Sequence, residues 1–264
     1  MDKRPIGIFD SGVGGLTVVD KIRKFLPNED IIYFGDTARV PYGNKSRDTV
    51  TRFSREIIKF LLKFRVKLII VACNTASSLS VNKLKKEFSV PIIGVIRPGV
   101  KEAMNLSKNK RIGVIGTSAT IKSGVYKKYI KAVCKKTVVK EEACPLFVPL
   151  VENKCLSGDI AVRVVKKHLA PLLKNKIDTL ILGCTHYPLL KGVIAQISGK
   201  RVKLVDSSSA VAKFTKELLK AGRMSASPGK KGSTIFFVSD DGENFRELAK
   251  IFLKKKITAK KAVL

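Results

Sequence analysis

Residues 66–75 read VKLIIVACNT and residues 177–186 read IDTLILGCTH, two apolar runs that each stop at a cysteine. An apolar run with no polar alternation suits a strand covered on both faces, and such strands belong to parallel sheets whose crossover helices pack above and below. The stretches around the first run supply what that arrangement needs. IGIFD (6–10) is a short apolar strand that ends in the turn SGVGG, and Val18, Val19, Ile22, Phe25 and Leu26 then mark one face of a helix. DIIYFGD (30–36) reads as a strand. From 48 to 64, Val50, Phe53, Ile57, Leu61 and Phe64 recur at helical spacing after a cap at Ser46 or Asp48. A helix through Leu79, Leu84 and Phe88 and a strand VPIIGVI (90–96) follow.

The pattern then restarts. RIGVIGTSAT (111–120) resembles RPIGIFDSGVGG (4–15), and the second cysteine run resembles the first. Gly7 and Cys73 are 66 positions apart, Gly113 and Cys184 are 71 apart, and a duplicated unit accounts for both spacings. After KLVDSSSA (203–210) come a helix, the loop AGRMSASPGKKGS, a strand TIFFVS and a final helix ENFRELAKIFL. Repeated strand–helix alternation predicts an α/β fold of two similar doubly wound parallel-sheet domains that face each other across a central cleft. Ligands of such sheets bind beyond the carboxyl ends of the strands, where Asp10, Cys73, Thr117 and Cys184 fall.

Composition narrows the function. With 264 residues the chain can build one large domain or two moderate ones. No apolar run approaches the ~20 residues that cross a bilayer. MDKRPIGIFDSG carries no signal-peptide stretch, so a cytoplasmic location is expected. The five cysteines are Cys73, Cys134, Cys144, Cys155 and Cys184; an odd count with no CxxC argues against a disulfide framework or a zinc ribbon. Only His168 and His186 are histidines, so no metal site is expected. The net charge is +31, from 52 Lys and Arg against 21 Asp and Glu. Those cations are spread along helices, as in KKYIKAVCKK, with one Lys-rich tail at 254–261. Spread charge of this kind reads as a solvated face that also steers anionic substrates. A nucleic-acid binder is the rival from another class, but no recognition motif supports it.

The cysteines carry the chemistry. A thiol at a strand end before a helix sits at the positive end of the helix dipole, which is expected to favour the thiolate. A thiol's ordinary pKa of ~8.5 needs modest tuning for acid–base work near neutrality. Two cysteines in equivalent places, each followed by polar groups, point to function; Cys134, Cys144 and Cys155 lack that setting and read as structural. Asn74, Thr75, Thr185 and His186 offer donors to a bound anion. Asp10 can hold a substrate ammonium, take a proton from Cys73 or merely cap its turn. His186 can relay the Cys184 proton or be structural. Glu152 reads no higher than a surface carboxylate. SGVGGLT lacks the third glycine of a dinucleotide loop, because position 17 is Thr17, and GK[ST] and GxSxG are absent. No arginine stands six residues beyond either cysteine, as a thiol phosphatase needs. A Cys–His nucleophile pair would leave Cys73 unexplained. Two thiols across one cleft suit inversion at an amino-acid Cα: one thiolate removes the proton and the opposed thiol delivers another to the opposite face. No cofactor motif is visible, so hydrogen bonds and the retained ammonium must stabilise the carbanion.

FDSGVGGLTV (9–18), FGDTARVPYG (34–43), VACNTAS (71–77), LGCTHYP (182–188) and VSDDGENFRELAKIFL (238–253) resemble the glutamate racemases of the aspartate/glutamate racemase family, in order along the whole chain. The resemblance implies a cofactor-independent bacterial enzyme that interconverts L- and D-glutamate for peptidoglycan. An aspartate racemase with the same thiols is the rival within the family. The resemblance also implies units 1–97 plus 209–264 and 98–208. Cys184 then faces the proton of the L-substrate and Cys73 that of the D-substrate, with Asp10, His186 and Glu152 assisting. The implied substrate contacts are Asp10, Ser11, Pro41, Tyr42, Gly43, Asn74, Thr75, Thr117, Thr120, Thr185 and His186. A homodimer is expected. Some relatives bind DNA gyrase, and nothing here carries that over. The strongly basic charge departs from the family's common acidity.

Overall fold

The computed structural model describes residues 2–229, 231–240 and 242–264. Asp241 of the closing motif and Lys230 of the Gly/Ser/Pro/Lys-rich loop lie outside them. Ten strands are described: β1 (Ile6–Asp10), β2 (Ile31–Gly35), β3 (Leu68–Val71), β4 (Ile92–Gly94), β5 (Arg111–Gly116), β6 (Val138–Ala143), β7 (Thr179–Gly183), β8 (Lys203–Asp206), β9 (Thr234–Val238) and β10 (Lys260–Lys261). They form two sheets, in the orders β10-β9-β2-β1-β3-β4 and β6-β5-β7-β8, and every pairing is parallel. The orders β2-β1-β3-β4 and β6-β5-β7-β8 are the same path traced twice, as the repeated sequence pattern predicts. β1, β2, β3 and β7 are buried along their whole length, which is why their sequences do not alternate.

Register makes the repeat quantitative. Gly7 pairs with Ile69, four residues before Cys73, and Gly113 pairs with Leu180, four residues before Cys184. The two glycines share a reason as well. A Cβ on Gly7 would lie 3.3 Å from Val66, and one on Gly113 would lie 2.6 Å from Ile177, the corresponding apolar residue of each preceding loop. Small residues at these points let the loop close onto the sheet and deliver each cysteine to the same place.

One face of the larger sheet packs on the helix Arg47–Leu62 through Val50, Phe53, Ile57 and Leu61. Ser46 caps that helix, its Oγ accepting from Thr49 N at 3.2 Å. The other face shares a continuous core with the smaller sheet, and the helices Ile96–Leu106 and Ser207–Ala221 pack between them. The single helix expected through Leu79, Leu84 and Phe88 is two, Asn74–Leu79 and Val81–Glu87, broken where the Ser80 hydroxyl donates to the Ala76 carbonyl at 2.7 Å. The Lys-rich tail returns to the larger sheet as β10, beside Phe237 and Val238.

Gly183 precedes Cys184, and a Cβ there would lie 2.5 Å from the Ile115 carbonyl of β5. Gly183→Ala therefore forces the β5–β7 pair apart, at a cost of about 1–3 kcal/mol for overpacking. Thermal unfolding should show the midpoint fall by roughly 2–10 °C, and an unchanged midpoint would contradict this packing.

Candidate active site

Cys73 is the N-cap of the helix Asn74–Leu79, and its sulfur accepts from Ala76 N at 3.5 Å. Its thiol reaches the Ser11 hydroxyl at 3.7 Å. The expectation that a helix terminus would favour the thiolate is overturned here. Burial pushes the Cys73 thiol up to about 12, and the charge of Asp10 pushes the same way, while the Ala76 amide and Ser11 pull against them. A six-residue helix offers one weak N–H to sulfur; that does not offset removal from water. Cys73 is therefore a protonated thiol at neutral pH.

Cys184 follows β7 and has no helix directly behind it; a turn and the 3-10 segment Tyr187–Leu190 come next. Its partner is the imidazole of His186, with Sγ 3.8 Å from Nδ1. The other ring nitrogen, Nε2, lies 3.1 Å from Glu152 Oε1. Burial alone would lower the His186 pKa, but the hydrogen bonds to Cys184 and Glu152 and the charges of Cys184 and Asp10 outweigh it and raise it to about 10. The ring is therefore an imidazolium that donates from both nitrogens. Glu152, an undistinguished carboxylate in the sequence, is brought here by the short helix Phe147–Glu152.

Asp10 ends β1 fully buried. Its Oδ2 accepts from Gly12 N at 3.1 Å and its Oδ1 from the Thr185 hydroxyl at 3.4 Å. Burial raises its pKa, opposed by the charge of His186 and the amides of Gly12 and Gly15. No hydrogen bond joins Asp10 to Cys73 among the described residues; Ser11 holds that place. The glycines of SGVGG serve close packing. A Cβ on Gly14 would meet Thr185 Oγ1 at 2.3 Å and His186 Nδ1 at 2.5 Å, and one on Gly15 would meet Asp10 Cβ at 2.4 Å. The turn presses directly onto the second thiol's neighbours.

The two units clasp each other at the thiols. Thr75, two residues past Cys73, places its hydroxyl 2.9 Å from that of Thr117, directly after β5, and 3.3 Å from that of Thr120, in the helix Ser118–Lys122. Thr185, one residue past Cys184, reaches Asp10 at the end of β1. Asn74 Nδ2 donates to the Tyr126 hydroxyl at 2.8 Å, which leaves its buried Oδ1 without a hydrogen-bond partner among the described residues.

Between the clasps lies a cavity of about 290 Å³. Of the residues singled out from sequence, Ser11, Pro41, Tyr42, Gly43, Cys73, Asn74, Thr75, Thr117, Glu152, Cys184, Thr185 and His186 line it. Asp10 and Thr120 stand behind that wall and act on it through Thr185, Thr75 and Thr117. Sequence reasoning missed Val40, Asn44, Ser118, Pro145, Val148 and Pro149. It also missed Cys144, read as structural, whose thiol is part of the wall and is raised by burial. Val40, Asn44 and Ser118 adjoin residues already singled out; nothing in the sequence signals the rest. Among the described residues neither Lys nor Arg lines the cavity. Among the described residues no group of three or more His, Cys, Asp and Glu is arranged to hold a metal ion. The arrangement brings three sulfurs to one small space rich in hydroxyl and amide groups, Cys73 from the larger sheet and Cys184 and Cys144 from the smaller.

Known proteins share this architecture and sequence. The glutamate racemase of Geobacter metallireducens is 48% identical over 257 residues, covering 97% of this chain and 95% of that protein. That of Aquifex aeolicus is 49% identical over 255 residues, covering 97% and 96%. The crystal structure of a glutamate racemase isoform from Bacillus anthracis matches with a TM-score of 0.97 at 38% identity, covering 100% and 99% of the two chains. The Francisella tularensis glutamate racemase, solved in complex with D-glutamate, matches with a TM-score of 0.93 at 41% identity, covering 100% and 98%. The family described as Asp/Glu/Hydantoin racemase matches residues 6–215, and this chain belongs to it.

Proposed function

We propose that the chain interconverts L- and D-glutamate by two-base proton transfer at Cα, supplying D-glutamate for peptidoglycan. The observation that carries this reading is the pair of buried thiols, at equal register on two different sheets, lining one cavity. In the L-to-D direction Cys184, backed by the His186 imidazolium, takes the α-proton, and the neutral Cys73 thiol delivers a proton to the opposite face. In the reverse direction Cys73 must first lose its proton against burial. The substrate ammonium lowers that cost, because a nearby positive charge favours a thiolate. The unpartnered Asn74 Oδ1 is a ready acceptor for that ammonium. The hydroxyls of Ser11, Thr75, Thr117 and Thr185, with the turn Pro41–Gly43, bind the carboxylates. Asp10 and Thr120 hold this wall in place. No redox change occurs and no external acid or base is consumed.

The division into units 1–97 plus 209–264 and 98–208 belongs to the proposal, as do a homodimer and a cytoplasmic location. No described helix is long and apolar enough to cross a membrane. Light scattering tests the dimer, and a monomer at assay concentration contradicts it. Circular dichroism on L-glutamate and L-aspartate tests the substrate: glutamate racemises without added cofactor, and turnover of aspartate alone would overturn the assignment.

Cys73→Ser and Cys184→Ser should each reduce racemisation by about 10³-fold or more, since a positioned acid or base is typically worth 10²–10⁴-fold. Full activity in either variant would contradict the mechanism. Cys134→Ala, away from the cavity, should stay near wild type.

The pH dependence follows from His186. Its folded-state pKa of about 10 lies above the ordinary 6.5, so the stability it contributes is fully present below 6.5 and is lost as pH rises through about 10. Glu152→Gln removes one of the interactions that raise it. The alkaline limb of kcat/KM for L-glutamate should then move to lower pH, and an unmoved limb would show that Glu152 does not hold the imidazolium.

A further inference from the structure

A second depression, of about 570 Å³, opens beside the catalytic cavity and shares Gly43, Asn44 and Ser118 with it. Three cations line it, Lys45, Arg47 and Lys122, and no Asp or Glu does. Each unit contributes a lip. Lys45 follows the 3-10 turn Tyr42–Asn44, and Lys122 ends the helix Ser118–Lys122 that begins beside Thr117. Arg47 is partly engaged, donating to the Leu79 carbonyl at 3.2 Å. No ion pair among the described residues involves any of the three.

The catalytic cavity poses a problem that this depression answers. Its wall carries Glu152, and Asp10 stands behind it, while its one cationic side chain among the described residues is His186, already flanked by Cys184 and Glu152. Glutamate at neutral pH bears two carboxylates and one ammonium, a net negative charge. A cavity with neither lysine nor arginine gives such an anion hydrogen bonds and little long-range attraction. Charges at a cleft mouth raise the local concentration of an oppositely charged ligand. We propose that the depression formed by Lys45, Arg47 and Lys122 is an entry station for the anionic amino acid, and that its charge sets kcat/KM and leaves kcat alone. The identity of the substrate rests on the racemase reading above; the anionic class of the ligand rests on the two pockets.

The test uses the double variant Lys45→Gln/Lys122→Gln in two assays. The first compares alkylation of Cys73 and Cys184 by anionic iodoacetate and by neutral iodoacetamide, read by mass spectrometry. Thiolate reactivity cancels in the ratio of the two rates, which reports access of an anion to the cavity whatever the enzyme catalyses. At about 0.01 M ionic strength, where screening is weak, the ratio should fall about fivefold in the double variant, a size set by two charges near the mouth acting through water. At about 1 M, where the Debye length is ~3 Å, wild type and variant should converge. The second assay is glutamate racemisation: kcat/KM should fall by the same factor at low salt, with kcat within about twofold. Lys200→Gln, beyond the amino end of β8, serves as the control and should change neither value. An unchanged alkylation ratio at low salt overturns the entry station. A wild type that shows the ratio but does not racemise glutamate overturns the substrate assignment and leaves the station standing.

Discussion

Two cysteines reach one cavity because two parallel strand pairs share one register, and the rest of the site depends on that. In each unit the glycine of the first strand lies opposite the residue four before the thiol. A slip of one residue on either β3 or β7 would turn the cysteine to the other face of its sheet. The register is held by burial, since both strands are covered on both faces, and by the glycines that let the preceding loops close. The two units are then tied at the thiols themselves, by Thr75 to Thr117 and Thr120 on one side and by Thr185 to Asp10 on the other.

That shared framework holds two chemically different thiols. Cys73 meets a backbone amide and a serine hydroxyl, and burial dominates, so it rests protonated. Cys184 meets an imidazole held by Glu152, a partner able to carry a positive charge beside a sulfur. The competing effects here are desolvation and a nearby opposite charge. At Cys73 desolvation wins, because an N–H at 3.5 Å from sulfur does not offset the loss of water. The site thus holds one buried, protonated thiol and one sulfur set beside an imidazolium.

Much of this was legible in the sequence because it is local. The apolar runs and the repeated strand-and-turn pattern point to the sheets and the duplication, and the cysteines with the residues directly after them supply Cys73, Asn74, Thr75, Cys184, Thr185 and His186 of the cavity wall; Ser11, Pro41, Tyr42 and Gly43 come only through the family resemblance. What stayed hidden needed tertiary placement. Cys144 lies far from both thiol motifs in the chain and arrives through the end of β6, and Glu152, which only the family resemblance singled out, arrives through the helix Phe147–Glu152. β6 itself reads VVKEEA, an edge strand only partly buried, and its charges mask the pattern, so the sequence shows no strand there. The dipole argument for Cys73 failed because sequence shows that a helix follows but not how completely the thiol is buried.

The most direct measurement of the central claim is the fate of hydrogen at Cα in deuterated water, followed at early conversion in both directions. Two opposed thiols predict that each newly formed enantiomer carries solvent deuterium while the recovered substrate keeps its original hydrogen. Product that retains the substrate's own α-hydrogen, or recovered substrate labelled as fast as product, would mean that a single base serves both faces, and the account would be wrong.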